Sequence, residues 1–255
     1  MRMAIEAAIV ATMVACGLSG CDEETVIESE EEETYEPEGM SILGNSISTY
    51  EGWNPSGYAV FYRKSKLAKV EYTWWYRLAE KMGVSINANA SWSGSTVSNI
   101  GASDDSYFTS DRRIGDLQGE EYAPKMILIA GGTNDWGHNL CELGEYDVED
   151  STNFRGAYML MMDKIAERYR KSQIICLSIF PRRAGYDTEN AMGWTMTEAN
   201  ASIERISEMY GATYVDMSGC GIDKDWDQYT SDGIHPTSDG MSLIADWIYE
   251  QLSGE

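Results

Sequence analysis

Short apolar runs alternate with segments of helical spacing from residue 40 onward, and that order leaves few architectures open. Met40–Ile47, Val84–Ala90, Met126–Ala130, Ile174–Phe180 and Ala212–Met217 read as five strands. Glu71–Met82 reads as a helix stopped by Gly83, and Tyr158, Met161, Met162, Ile165 and Tyr169 recur at helical spacing. Thr195–Glu198 has the form of a capping box, opening a helix that ends at Gly211. Met241, Ile244, Ala245, Ile248 and Leu252 mark a last amphipathic helix. Strands this short and mostly apolar fit a parallel sheet covered on both faces. The expectation is one α/β domain over 40–255, with ligands bound beyond the C-terminal strand ends. A 28.5 kDa chain with 43% hydrophobic residues can bury the core this requires.

The segment before residue 40 reads differently. Arg2 and the mostly apolar Ala7–Ala15 run, with Glu6 beside it, have the pattern of a targeting signal. The signal ends in Leu18-Ser19-Gly20-Cys21, which is similar to a bacterial lipobox; Met13-Val14-Ala15-Cys16 is a poorer second match. The expectation is that 1–21 is a lipoprotein signal and Cys21 the lipidated residue. The apolar run is shorter than the ~18 residues of a membrane span, so contact with a membrane is expected only through the lipid. Asp22–Glu38 holds ten carboxylates and no Lys or Arg, a composition that cannot bury enough apolar surface to order itself. We read 22–39 as an acidic tether; its position resembles the surface-export signals of some Bacteroidetes lipoproteins. Localisation is therefore expected at a bacterial membrane, periplasmic or cell-surface. The net charge of -23 argues against nucleic acid as a partner.

The polar residues at the strand ends carry the chemistry. Ser46 follows the first strand in Gly44-Asn45-Ser46, where a strand-to-helix corner would expose a hydroxyl. Gly94, after the second strand, offers an unobstructed backbone N–H, and Asn134, after the third, a side-chain amide. The chain has two histidines, and both His138 and His235 have an aspartate three residues upstream, Asp135 and Asp232. Either fits a base oriented by a carboxylate. Placement separates them: His138 shares a loop with Asn134, whereas Asp232 and His235 follow the last strand on the expected ligand edge.

Taken together, Gly44-Asn45-Ser46, Gly94, Gly132-Thr133-Asn134-Asp135 and Asp232-Gly233-Ile234-His235-Pro236 resemble the blocks of the SGNH (GDSL-type) hydrolase family, in the family's order. Asn45 departs from the family's usual aspartate, beside the nucleophile position. The resemblance implies a flavodoxin-like three-layer α/β/α sandwich with a five-stranded parallel sheet. It implies an ester hydrolase with Ser46 as nucleophile, His235 as base and Asp232 as its orienting acid. Ser46 N–H, Gly94 N–H and the Asn134 side chain would form the oxyanion hole. No cofactor and no metal are implied.

Aromatic residues bear on the substrate. The insert Thr49–Lys66 carries Tyr50, Trp53, Tyr58, Phe61 and Tyr62. Trp53, Trp92, Trp136 and Trp194 are expected to form a rim suited to sugar rings. The expected partner is an ester substrate, an acylated glycan, and the expected activity a carbohydrate O-acetyl esterase. Lipid or aryl esterase, lysophospholipase and thioesterase activities are the enzymatic alternatives; a catalytically silent glycan-binding lipoprotein is the alternative of another class. A monomer is the default expectation. Cys176 lies in an apolar run, while Cys141 and Cys220 fall in loops, where a bridge between them stays open.

Overall fold

The computed structural model describes residues 38–254, apart from 101–103, 120, 121, 139 and 140. The targeting segment, Cys21 and the acidic stretch through residue 37 lie outside the described residues. Five strands form one parallel sheet: β1 Met40–Gly44, β2 Ile86–Asn89, β3 Met126–Ala130, β4 Gln173–Leu177 and β5 Thr213–Val215, in the order β2-β1-β3-β4-β5. The helices are α1 Trp74–Met82, α2 Asp111–Gly115, α3 Thr133–Gly137, α4 Phe154–Arg168, α5 Met196–Met209, α6 Trp226–Tyr229 and α7 Ser238–Ser253.

Side chains alternate across the sheet, so each central strand feeds two cores. Ile127, Ile129 and Cys176 face Tyr158, Met161 and Ile165 of α4 and Ile203 and Ile206 of α5. Ile42, Leu128, Ile175 and Leu177 face Trp74 and Leu78 of α1 and Met241, Ile244 and Ile248 of α7. All of these are fully buried. Each such Leu or Ile contributes about 1.5–3 kcal/mol over an exposed position. The result is the three-layer α/β/α sandwich expected.

Several boundaries differ from the sequence reading, each for a local reason. α1 opens at Trp74 rather than Glu71, because Val70–Tyr72 forms a 3-10 turn and Thr73 then caps the helix by accepting from Tyr76 N–H. Gly83 ends it in the left-handed region, φ 66°. β1 stops at Gly44, before a 3-10 turn at Ser46–Ser48. β4 stops at Leu177 rather than Phe180, where the Ile179 N–H turns away to the Asn200 side chain, 2.9 Å. The Thr195/Glu198 capping box is present.

All three described cysteines are buried and unbonded. Cys141 packs in the α4–α5 layer and Cys220 in the α1–α7 layer, so the sheet lies between them. Burial pushes the Cys141 thiol up to about 12 and the Cys220 thiol to about 11, which leaves both protonated and unreactive at neutral pH. Among the described residues no helix is long and apolar enough to cross a membrane.

Candidate active site

The site begins where β1 ends, at the centre of β2-β1-β3. Gly44 is not in a left-handed conformation; it is needed because a Cβ there would lie 2.6 Å from the Ser48 side chain and 2.8 Å from Ser91 Oγ. Gly44 thus permits close approach rather than an unusual φ. Asn45 caps the turn, its side-chain oxygen accepting from Ile47 N–H at 3.0 Å. An aspartate would accept the same bond, so the departure from the family pattern keeps the local geometry. Ser46 follows as the first residue of the turn, 6% exposed.

Ser46 Oγ lies 2.9 Å from His235 Nε2, and His235 Nδ1 lies 2.7 Å from Asp232 Oδ2. An ionised carboxylate can only accept, so Nδ1 carries the proton and Nε2 is left to accept from the serine hydroxyl. The other Asp232 oxygen accepts the backbone N–H groups of His235, 2.8 Å, and Ile234, 3.0 Å. Burial alone would raise the Asp232 carboxyl; the bonds and charge of His235, with the Ile234 N–H, outweigh it and hold the group below its usual value. Burial depresses the His235 imidazole below 6.5, against the pull of Asp232 and with the help of the Lys66 and Arg182 charges. At neutral pH the ring is therefore an unprotonated base.

The loop that carries this pair is closed on itself. Thr230 bridges Pro236, Ser231 N–H bonds the His235 carbonyl at 2.9 Å, and Thr237 caps α7. Tyr62 donates to the Pro236 carbonyl at 2.8 Å, tying the Thr49–Lys66 insert to the same loop. Thr49 Oγ1 donates to the Ser46 carbonyl and accepts the Phe61 N–H, each at 2.9 Å. This places the Phe61 ring flat on His235, a contact that loop composition did not reveal.

The three oxyanion candidates end adjacent strands. Ser46 N–H heads a 3-10 turn and has no intrahelical acceptor. Gly94 is exposed, with φ 81°, and its N–H meets no acceptor among the described residues. Asn134 donates one amide hydrogen to the Ser95 carbonyl at 2.8 Å, which fixes it against the Gly94 loop and leaves its second hydrogen free. The arrangement offers three donors around the C-terminal end of β1.

His138 is a poor rival. It is exposed at the end of α3, and Asp135 points away into the core. Asp135 is fully buried and accepts Val97 N–H at 2.9 Å and Ser98 N–H and Oγ–H at 2.8 and 2.7 Å. Burial still raises its carboxyl despite these bonds.

Sequence reasoning missed Arg113. Its side chain is fully buried and donates to the carbonyls of Gly44, 2.7 Å, Ala90, 3.0 Å, and Ser106, 2.7 Å. It thereby ties the ends of β1 and β2 together beneath the site. Burial lowers its guanidinium to about 9, still charged at neutral pH.

The aromatic rim is largely corrected. Trp136 and Trp194 are buried, 7% and 2% exposed. Trp194 stacks on Phe154 and donates to the Cys141 carbonyl at 2.9 Å; Trp136 lies under Arg182. Tyr50, Tyr58 and Tyr62 of the insert are also buried. Trp53 is 40% exposed but packs against Trp75 and Tyr76 of α1. Trp92 alone remains beside the oxyanion loop, half-buried on Tyr58 with ring centroids 4.3 Å apart. Among the described residues no group of three or more His, Cys, Asp or Glu is placed to hold a metal ion.

A family model described as GDSL-like Lipase/Acylhydrolase matches residues 38–252. A solved structure described as a GDSL-like lipase from Bacteroides ovatus aligns with a TM-score of 0.68 at 25% identity, over 87% of this chain and 100% of that one. A second, from Bacteroides uniformis, aligns with a TM-score of 0.64 at 29% identity, over 86% and 97%. A family two carbohydrate esterase from Clostridium thermocellum shares the fold, with a TM-score of 0.58 at 16% identity over 87% and 65%. No curated protein matches the chain.

Proposed function

The chain belongs to the GDSL-like lipase/acylhydrolase family, and we propose that it is a serine esterase acting through an acyl-enzyme, with O-acetylated glycans as its substrates. The observation that carries this reading is the hydrogen-bonded line from Ser46 Oγ through His235 to Asp232, 2.9 and 2.7 Å. Ser46 Oγ attacks the ester carbonyl carbon while His235 Nε2 takes its proton. Asp232 holds the ring and stabilises the imidazolium. The new carbonyl oxyanion is met by Ser46 N–H, Gly94 N–H and the Asn134 amide. As the C–O bond breaks, His235 returns the proton to the leaving alcohol. Water, deprotonated by the same nitrogen, then releases the acid and regenerates Ser46. Loss of one such oxyanion donor costs about 3–4 kcal/mol of barrier.

The glycan assignment is supported by Trp92 beside the oxyanion loop, since an aromatic face suits the C–H face of a sugar. The carbohydrate esterase from Clostridium thermocellum, at 16% identity, lends it a shared fold and no more. A groove of about 520 Å³ beside Asp232 favours a second reading. Phe61, Leu67, Ala68, Tyr72 and Pro236 give it an apolar wall, and Lys66, Ser231 and Ser238 add polar groups. An acyl chain of moderate length would fit such a wall. Acetate release from acetylated oligosaccharides, measured beside p-nitrophenyl esters of rising chain length, separates the two. Preference for long chains with no release from sugars would defeat the glycan reading.

We further read residues 1–21 as a lipoprotein signal, Cys21 as the anchor and 22–39 as a tether, on sequence alone. Metabolic labelling with palmitate should mark the wild type and not Cys21→Ser.

A further inference from the structure

The geometry points to Arg182 as a specificity residue that binds a carboxylate carried by the substrate, so that the preferred ester is an anionic one. The inference rests on the esterase reading above. Arg182 follows β4 and approaches the site from the side of Asn134. Its guanidinium lies over the Trp136 ring, 4.7 Å from the centroid, and Nη1 donates to the Thr133 carbonyl at 3.2 Å. Gly137 makes this seat possible, because a Cβ there would come within 2.6 Å of Nη1.

The seat leaves the guanidinium unfinished. Nε is buried and has no hydrogen-bond partner, and among the described residues no carboxylate pairs with the side chain. Two neighbours show the contrast. Arg183 is ion-paired with Asp227, and Arg113, though fully buried, spends its donors on three carbonyls. Asp232, whose charge reaches Arg182, has both oxygens engaged with His235 and Ile234. With Nη1 taken by Thr133 and Nε buried, Nη2 is the nitrogen left to donate to a carboxylate in a charge-assisted bond.

A second cation stands on the other flank. Lys66 Nζ lies 3.4 Å from the Phe61 centroid, and His235 stacks on the same ring at 3.6 Å, so the two occupy opposite faces. The charges of Lys66 and Arg182 both act on His235. The chain's net charge of -23 does not oppose this reading at close range. Exposed charges more than about 8 Å away are largely screened at physiological ionic strength. In the glycan reading the ligand class is an acylated acidic sugar; the same carboxylate could sit on the acyl side, as in a hemisuccinate.

The test compares kcat/KM for an O-acetylated methyl galacturonoside, the matching neutral galactoside acetate and a hemisuccinate of the neutral sugar. We expect one of the anionic esters to be preferred by about ten-fold or more, and which one identifies the carrier of the carboxylate. The preference should fall about ten-fold in Arg182→Met, less in Arg182→Lys, which keeps the charge on a shorter, non-planar group. Added salt should erode it in the wild type, a readout that needs no variant to fold. A wild-type ratio of one or less, or a ratio unchanged in folded Arg182→Met, overturns the inference while leaving the esterase reading intact. Hydrolysis of none of the three esters, with no labelling by a fluorophosphonate, would overturn both.

Discussion

The Phe61 ring lies flat against the His235 imidazole, with centroids 3.6 Å apart and planes 10° from parallel. Phe61 is held there by Thr49, which also holds the Ser46 carbonyl, so one threonine positions Ser46 and His235 together. Phe61→Ala should free the imidazole and lower kcat/KM by about ten- to a hundred-fold, the scale of a misplacement near 1 Å. Phe61→Tyr should keep most of the activity. Steady-state kinetics on a p-nitrophenyl ester checks both, and an unimpaired Phe61→Ala would show that the stack does not position the base.

The same contact sets the pH profile. The base works when neutral, and burial, against the pull of Asp232, keeps His235 neutral to below its ordinary 6.5. kcat/KM should therefore rise with pH through a value below 6.5 and then level off. Phe61→Ala admits water to the ring, so its acid limb should move upward toward 6.5. An unmoved limb contradicts burial as the cause.

Arg113 should matter to stability as much as to rate. Arg113→Leu leaves three buried carbonyls without their donor, each costing about 1–3 kcal/mol. Urea unfolding should show a loss of about 3 kcal/mol or more, with a lower kcat as the ends of β1 and β2 relax. A variant as stable as the wild type would mean that water replaces the guanidinium at little cost.

The two Asp–His pairs, identical in spacing, should separate by experiment. His235→Ala should abolish turnover, while His138→Ala should leave most of it, and neither should move Tm much. Asp135→Asn should cost about 1–3 kcal/mol, because an amide NH₂ cannot accept one of the Val97 and Ser98 bonds. Loss of turnover in His138→Ala with retention in His235→Ala would reverse the assignment.

Much of this is legible in the sequence. Met126–Ala130 is a strand from end to end, and the Thr195/Glu198 capping box opens α5 as its spacing requires. Such features are local, so local sequence encodes them. That Ser46, Gly94, Asn134 and the Asp232/His235 pair come together at one edge could be anticipated, because each follows a strand and parallel strands deliver their C-terminal ends to one edge. Phe61, Arg113 and Arg182 could not, because their positions depend on how an insert, a short helix and a loop pack across the chain. Trp136 and Trp194 were misread for the same reason. A tryptophan in a loop looks exposed until a distant partner, Arg182 for one and Phe154 for the other, covers it.

The account stands or falls on Ser46 being an activated nucleophile. Incubation with a fluorophosphonate, followed by mass spectrometry of the digested protein, reads this directly. The account predicts a covalent adduct on Ser46 in the wild type, strong slowing in His235→Ala and no adduct in Ser46→Ala. A folded wild type that stays unlabelled, or an adduct on another serine, would contradict it.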